Sequence, residues 1–208
     1  MKRIYFISLI VFALSLNLVH SQTNCISKGK SLIDVYYGFP NFYSNIITQE
    51  YNNSYDLTRG VKPNYNISGF GPIGLKYEYL LTDEIGLGLN LFYASTSLKW
   101  SDATYNYKTT VTRFRAAVTA NWHFSPTPDF DPYVMVHLGY ANFNYTFDQT
   151  SINDSIPAIH PKPDLKFMLP VAMRIGIGAR YFFTKNIGIN AEVGLGGVVL
   201  TGGVSLKF

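Results

Sequence analysis

The feature that most constrains the fold is a two-residue alternation of apolar and small or polar residues, which is clearest over residues 198–208. A strand crossing a bilayer needs about 9–11 residues with one apolar face, and this segment meets both conditions. One face carries Val198, Leu200, Gly202, Val204, Leu206 and Phe208, and the other carries Val199, Thr201, Gly203, Ser205 and Lys207.

The amino terminus has the pattern of an export signal. Lys2 and Arg3 precede an apolar run over residues 4–19, and Val19-His20-Ser21 provides the spacing of a cleavage site. We expect a signal peptide at residues 1–21 and one mature domain at residues 22–208. The alternative is a transmembrane anchor, which the polar residues within the run disfavour.

The composition also favours a barrel. Only 14% of residues are charged, against about 25% in a typical soluble domain, while aromatic residues make up 16%. After the signal, no segment reaches the roughly 18 apolar residues of a membrane helix. The net charge is only +4, with Lys2 and Arg3 in the signal, so we expect no nucleic-acid partner.

Alternation predicts eight strands, joined mostly by alternately short turns and long loops. The fold class is therefore all-β, an eight-stranded antiparallel up-and-down transmembrane β-barrel. A phase shift near Ser95–Ser97 suggests a bulge in the third strand. The predicted strands are residues 31–39, 70–81, 85–98, 107–124, 133–145, 167–183, 187–196 and 198–208, with long loops at 40–69 and 146–166.

Alternation does not show which face meets the solvent, because a soluble barrel with an apolar interior has the same period. The polar face has few charges and the apolar face has none, which favours lipid outside. Aromatic residues also gather at predicted strand ends, as in membrane girdles. One set is Tyr79, Trp122, Phe124, Tyr181, Phe183 and Phe208, and the other is Tyr37, Phe39, Tyr93, Trp100, Tyr140 and Phe167.

The chain resembles small eight-stranded outer-membrane barrels of the OmpA/OmpX-like superfamily, in the compact form common in Bacteroidota. The resemblance lies in residues 71–79, residues 85–89 and the ending 203–208. It implies a location in the outer membrane of a Gram-negative bacterium, contact with membrane lipid, and recognition of Phe208 by the barrel assembly machinery. The superfamily includes pores, adhesins, structural anchors and enzymes, so it does not fix the function.

Charged residues on the polar face predict an ionic network that fills the lumen, since the interior of an eight-stranded barrel is just wide enough for side chains. Strand direction places Asp34, Arg113, Arg115, Arg174 and Glu192 near mid-depth. The alternative is a narrow, anion-favouring pore, because cations are in excess. The full set is Asp34, Lys76, Glu78, Arg113, Arg115, Arg174, Arg180 and Glu192, with Lys207 as a further interior charge.

Catalysis is not expected, although a membrane-embedded lipid hydrolase is a second alternative. His123 and Ser125 are close in sequence, but no neighbouring carboxylate is evident to orient the histidine. His137 is interpreted as a hydrogen-bonded lumen residue, and Asp154 with His160 as solvated loop residues. We expect no catalytic residues, no cofactor and no metal site, and we interpret Cys25 as an incidental thiol in a flexible lead segment.

The loop at residues 40–69 is rich in tyrosine, asparagine and serine, which suit adaptable surface contacts. It either folds over the barrel mouth or binds an extracellular protein or glycan. The sequence therefore predicts a monomeric barrel with a structural or surface-interaction role.

Overall fold

The computed structural model describes residues 24–39, 65–101, 105–151 and 170–208. The strands in this part of the chain are β1 (Ser31–Phe39), β2 (Tyr65–Leu80), β3 (Ile85–Ser101), β4 (Tyr105–His123), β5 (Phe130–Ser151), β6 (Val171–Phe182), β7 (Ile187–Leu195) and β8 (Leu200–Lys207). Each strand pairs antiparallel with the next, and β1 pairs with β8 to close the barrel. The predicted all-β, eight-stranded antiparallel barrel is confirmed. The segment 1–21 and most of the loop 40–69 lie outside the described residues.

The alternation separates two environments. In β7, Ile187, Ile189 and Val193 point outward, while Asn190 and Glu192 are buried inside. The other strands follow the same rule over most of their length, so the barrel has an apolar outer surface and a polar interior. Among the described residues, no helix is long and apolar enough to cross a membrane.

The polarity of the two faces inverts where β3, β4 and β5 extend beyond the rest of the barrel. In β5, Leu138 and Tyr140 point outward, but beyond them Asn142 and Asn144 are the exposed residues and Phe143 turns inward. We call these outer portions of β2–β5 (residues 65–70, 95–101, 105–112 and 142–151) the extension. Apart from the exposed Phe70, its pattern is polar outside and aromatic inside, which is that of a sheet surrounded by water.

The inversion occurs at paired positions on β3 and β4, and two residues earlier on β5, where Asn142 already faces outward opposite Phe114. Tyr93 of β3 pairs with Phe114 of β4, and these are the last large apolar residues on the outer face of their strands. Tyr140 of β5 pairs with Val171, the first residue of β6. The outward apolar stretch of β3, residues 85–93, has the length of about 9–11 residues that a strand needs to cross a bilayer.

The bulge predicted near Ser95–Ser97 of β3 is found on the neighbouring strand instead. β3 and β4 pair without interruption from Ile85 to Ser101, but β2 has an irregularity between Phe70 and Ile73, opposite Ser95 and Tyr93 of β3. The phase shift in the sequence of β3 coincides with the inversion of polarity. Within the irregularity of β2, Gly71 has φ +83°, a left-handed conformation that glycine adopts without strain.

Several predicted strand limits also shift. β5 continues to Ser151 rather than ending at Tyr145, and β6 begins at Val171 rather than Phe167. Val198, predicted on the outer face, is buried inside, because the turn after Gly196 continues until β8 begins at Leu200. Its neighbours in the interior are Tyr36, Phe92 and Ala94.

The segment 24–30 closes one end of the barrel, the end that carries the turns 81–84, 124–129 and 183–186, which we call the short-turn end. Cys25 N–H donates to the Thr127 carbonyl at 2.8 Å, and Gly29 N–H donates to the Leu80 carbonyl at 2.9 Å. Lys207 Nζ donates to the Cys25 carbonyl at 2.6 Å. These contacts reach elements on several sides of the opening, so the segment spans it.

Cys25 is therefore a packed residue, and its interpretation as part of a flexible lead segment is wrong. It lies in an apolar cluster with Ile26, Leu32, Leu80 and Phe182. Burial raises the pKa of the Cys25 thiol to about 12, and the Asp131 carboxylate contributes in the same direction.

Candidate functional site: the ionic network inside the barrel

Arg180 forms the centre of a buried network of charges. Its Nη2 donates to Asp34 Oδ2 at 2.8 Å and to Glu78 Oε2 at 2.6 Å, and its Nη1 donates to Asp131 Oδ2 at 3.0 Å. Its Nε lies 3.2 Å from Asp34 Oδ1. The planar guanidinium thus joins the carboxylates of β1 and β2, which face it across the lumen, to that of Asp131, its paired neighbour on β5.

Lys76 links this centre to a second carboxylate further along the lumen. Its ammonium lies 3.1 Å from Asp34 Oδ2 and also contacts Glu192 and the Tyr133 hydroxyl. Glu192 accepts further hydrogen bonds from Tyr133 at 2.8 Å and from Arg174 Nη1 at 2.7 Å. Lys76 therefore makes one connected network of the two groups.

Tyr133 is the aromatic residue on which the network packs. The Arg180 guanidinium lies 4.4 Å and the Lys76 ammonium 4.8 Å from the centre of its ring. The opposite residue on β6 is Gly178, where a Cβ would lie only 2.5 Å from the ring. The glycine therefore lets the tyrosine lie flat across the sheet and reach both cations.

His123 completes the network at the short-turn end. Its Nδ1 is 2.6 Å from Asp131 Oδ1, and its Nε2 is 2.7 Å from Glu78 Oε1. The expectation that no carboxylate would orient this histidine is wrong, because Asp131 and Glu78 approach it from other strands. Both ring nitrogens are occupied by carboxylates, and Ser125 lies on the exposed turn. This arrangement leaves no ring nitrogen to activate the Ser125 hydroxyl as a triad requires.

The remaining predicted charges lie elsewhere. Arg115 Nη2 donates to the carbonyls of Met173 and Gly196 at 3.1 and 2.9 Å. The Arg113 guanidinium lies 5.6 Å and 5.0 Å from the ring centres of Phe92 and Phe143, away from Arg180. The centre of the network lies toward the short-turn end, since Arg180 is close to the end of β6, whereas Asp34 and Glu192, predicted at mid-depth, lie near the middle of β1 and β7.

Lys207, a further interior charge in the sequence analysis, lies at the short-turn end. Its ammonium is 4.3 Å from the ring centre of Phe182. It belongs to the closure by the segment 24–30 rather than to the network around Arg180.

The network includes residues that the sequence analysis missed, namely Asp131, Tyr133 and the ring of His123. Asp131 was assigned to a turn, because Pro132 follows it and the predicted strand began at Tyr133. The alternation itself contained the signal, since Asp131, Tyr133 and Met135 occupy the same face at two-residue spacing. The pairing of His123 with Glu78 depends on barrel register, which a single sequence does not display.

His137 lies in the lumen as predicted, but the hydrogen bonding expected for it is not found at its Nε2. Its Nε2 is buried and has no hydrogen-bond partner among the residues that the structure describes. Asp154, His160 and Phe167 lie outside those residues. No group of metal-binding side chains is found in the described part of the chain.

The aromatic residues at the strand ends are mostly on the outer surface. Trp122, Tyr181 and Phe208 are exposed near the short-turn end, and Tyr37 and Tyr140 are exposed toward the other end. Trp100 differs, because it is half-buried and stacks on Tyr107 at 5.1 Å within the extension. It therefore does not belong to an outer girdle.

No protein-family profile matches the chain, and a search of curated proteins finds no match. Solved structures with a similar barrel include the N-terminal β-barrel domain of Pseudomonas aeruginosa OprF, with 17% identity, a TM-score of 0.42 and coverage of 88% of this chain and 100% of that chain. P. aeruginosa outer membrane protein OprG has 14% identity and a TM-score of 0.45, covering 88% and 97%. Ail, the attachment invasion locus protein of Yersinia pestis, solved with the heparin analogue sucrose octasulfate, has 12% identity and a TM-score of 0.45, covering 87% and 99%. At these identities the likeness concerns the eight-stranded barrel alone.

Proposed function

We propose that this protein is an integral barrel of the outer membrane of a Gram-negative bacterium, with a structural or surface-interaction role and a lumen filled by side chains. One observation carries the proposal: the outer face changes from apolar to polar at paired positions on β3 and β4, and within two residues of that level on β5. A barrel surrounded only by water has no reason to change its outer face along one strand. A barrel crossing a bilayer changes it at the lipid boundary.

A pair of arginine substitutions on β5 tests this orientation. Leu138, with 60% of its side chain exposed, lies on the apolar part of the outer face, and Asn142 lies just beyond the boundary. If lipid surrounds the barrel, Leu138→Arg should cost about 2–4 kcal/mol of folding free energy in bilayers, and Asn142→Arg about 0–1 kcal/mol. Urea titration in lipid vesicles measures both. Equal, small effects would contradict a lipid-facing surface at Leu138.

The filled interior supports the proposal that the barrel does not conduct ions. Arg180, Lys76 and Tyr133 are fully buried, and the segment 24–30 spans the short-turn end. We expect no steady current from the purified barrel in planar bilayers. A stable anion-selective conductance would instead establish the narrow pore as the function.

The surface-interaction role is assigned to residues 40–64, the part of the predicted loop 40–69 that precedes β2, together with the extension, which stands outside the proposed lipid boundary. Its outward residues include Lys108 and Asp148, which are paired across β4 and β5. Such a polar surface suits an extracellular protein or a glycan. Binding of intact cells to immobilised glycans and to host-surface proteins should decrease when residues 41–63 are replaced by a short glycine-serine linker. Unchanged binding, with normal membrane insertion, would remove this role from the loop.

We also propose that the barrel is of the compact OmpA/OmpX-like type common in Bacteroidota and that it is monomeric. It would be exported with a signal peptide at residues 1–21 and inserted by the outer-membrane barrel assembly machinery. The position of Phe208 supports this insertion route, because its N–H donates to the Ser31 carbonyl at 2.9 Å where β8 closes on β1. Amino-terminal sequencing of the exported protein tests the cleavage site. Native mass spectrometry from detergent tests the monomeric state.

A further inference from the structure

Beyond the ionic network, the lumen contains a small cavity lined by both polar and apolar residues. Its volume of about 20 Å³ suits one small occupant, since one water needs about 10–15 Å³. It lies between the network and the apolar group around Val198. Its lining residues are Tyr36, Asn90, Phe92, Arg115, Ala117, His137, Arg174, Val198 and Thr201.

Several buried nitrogen atoms of this lining have no hydrogen-bond partner among the described residues. They are Arg174 Nε, Arg174 Nη2, Asn90 Nδ2 and His137 Nε2. Arg174 is only 5% exposed, as is Asn90, so bulk water does not satisfy them. A buried donor without an acceptor costs about 1–3 kcal/mol, and native proteins rarely leave several together.

The orientation of these donors is fixed by neighbouring bonds. Arg174 uses Nη1 to bind Glu192 at 2.7 Å, which leaves the Nε–Nη2 edge, the edge by which guanidinium groups chelate anions. The Tyr36 hydroxyl donates to Asn90 Oδ1 at 2.8 Å, which directs the amide nitrogen away from the tyrosine. Both groups therefore present N–H donors to the same cavity.

We propose that this cavity binds one halide ion, chloride under cellular conditions. Two guanidinium groups, those of Arg115 and Arg174, line it, and among the described residues no carboxylate does. A water molecule accepts only two hydrogen bonds and needs acceptors for its own two protons. A monatomic anion accepts a hydrogen bond from every donor around it. The volume is too small for phosphate or sulfate.

Bromide provides a direct test in the wild-type protein. Crystals of the refolded barrel soaked in sodium bromide should show an anomalous peak within hydrogen-bond distance of Arg174 Nε and Nη2. A cavity that holds only water under these conditions overturns the proposal.

Stability in solution gives a second readout. Replacing gluconate in the buffer with chloride at constant ionic strength should raise the folded-to-unfolded ratio. The increase should be about elevenfold at a chloride concentration ten times the Kd. Asn90→Asp places a carboxylate beside Arg174, so its stability should no longer depend on chloride. Asn142→Asp makes the same change on the exposed extension and should keep the dependence. The site is refuted if wild-type stability ignores the exchange, or if Asn90→Asp keeps the full chloride effect.

Discussion

Replacing Arg180 with methionine is the sharpest test of the network, because it removes one cation from among three carboxylates without opening a large cavity. Charged hydrogen bonds contribute about 1.5–3 kcal/mol each, so a simple sum over Asp34, Glu78 and Asp131 would give about 5–9 kcal/mol. Each carboxylate, however, keeps another partner. Asp34 retains Lys76 at 3.1 Å, and the other two retain His123 at 2.7 and 2.6 Å. We therefore expect a loss of about 3–5 kcal/mol, the usual cost of breaking a buried pair.

Urea titration of the barrel refolded in lipid vesicles measures this loss, with Trp122 on the outer face as the fluorescent probe of insertion. The matched variant combines Arg180→Met with Asp131→Asn. Neutralising Asp131 removes the charge that Arg180→Met leaves in excess, while His123 keeps its contact with Glu78. The double variant should be more stable than Arg180→Met alone, with a coupling of about 0.5–3 kcal/mol. The reasoning fails if Arg180→Met unfolds at the wild-type urea concentration, or if the two losses simply add.

Three further predictions concern other parts of the barrel. With its thiol pKa at about 12, Cys25 should be about one part in ten thousand thiolate at pH 8, against about a quarter for a free thiol. Maleimide should thus label Cys25 about three orders of magnitude more slowly than it labels the exposed thiol of a Cys25→Ser/Lys185→Cys control. Equal labelling rates would show that segment 24–30 is open. Phe208→Ala should lower the amount of barrel assembled in cells but leave detergent refolding nearly unchanged, and normal cellular levels on quantitative blots would exclude Phe208 as the signal. Trp100→Leu should cost about 0.5–1.5 kcal/mol through its stacking on Tyr107, and no change in the urea midpoint would show that this contact does not stabilise the extension.

Much of the barrel could be predicted from sequence because a strand in a bilayer has only two environments, and they alternate residue by residue. This rule correctly places Glu192 inside and Ile189 outside on β7. It also places Arg180 in the lumen. A one-residue slip would exchange every side chain between lipid and interior, so register and polarity constrain each other.

The same rule fails where a strand leaves the lipid. Over residues 142–151 of β5, the aromatic residues turn inward and polar residues turn outward. Read as a single pattern, this inversion looks like the end of the strand at Tyr145, and in β3 it looks like a bulge at Ser95–Ser97. Both strands nevertheless continue, β5 to Ser151 and β3 to Ser101, and the irregularity beside Ser95 lies in β2.

The network partners were harder to predict because they come from distant strands. Arg180 is separated from Asp34 by 146 positions in the chain, and only closure of the barrel brings them together. Alternation identifies a side chain as interior but not its depth. The sequence therefore supplied most members of the network without showing that Arg180, rather than Arg113, lies at its centre.

This division of roles indicates where partners should be sought. Side chains that are fully buried, such as Arg180 and Lys76, cannot contact a molecule outside the barrel, so their chemistry serves folding and closure of the lumen. Under the proposed membrane orientation, the apolar outer face contacts lipid. The outer face of the extension is polar, and Lys108 and Asn144 are exposed on it. These side chains neither stabilise the interior nor suit contact with a bilayer. We therefore propose that recognition of a hydrophilic partner belongs to this surface, together with residues 40–64, which precede β2 in the chain.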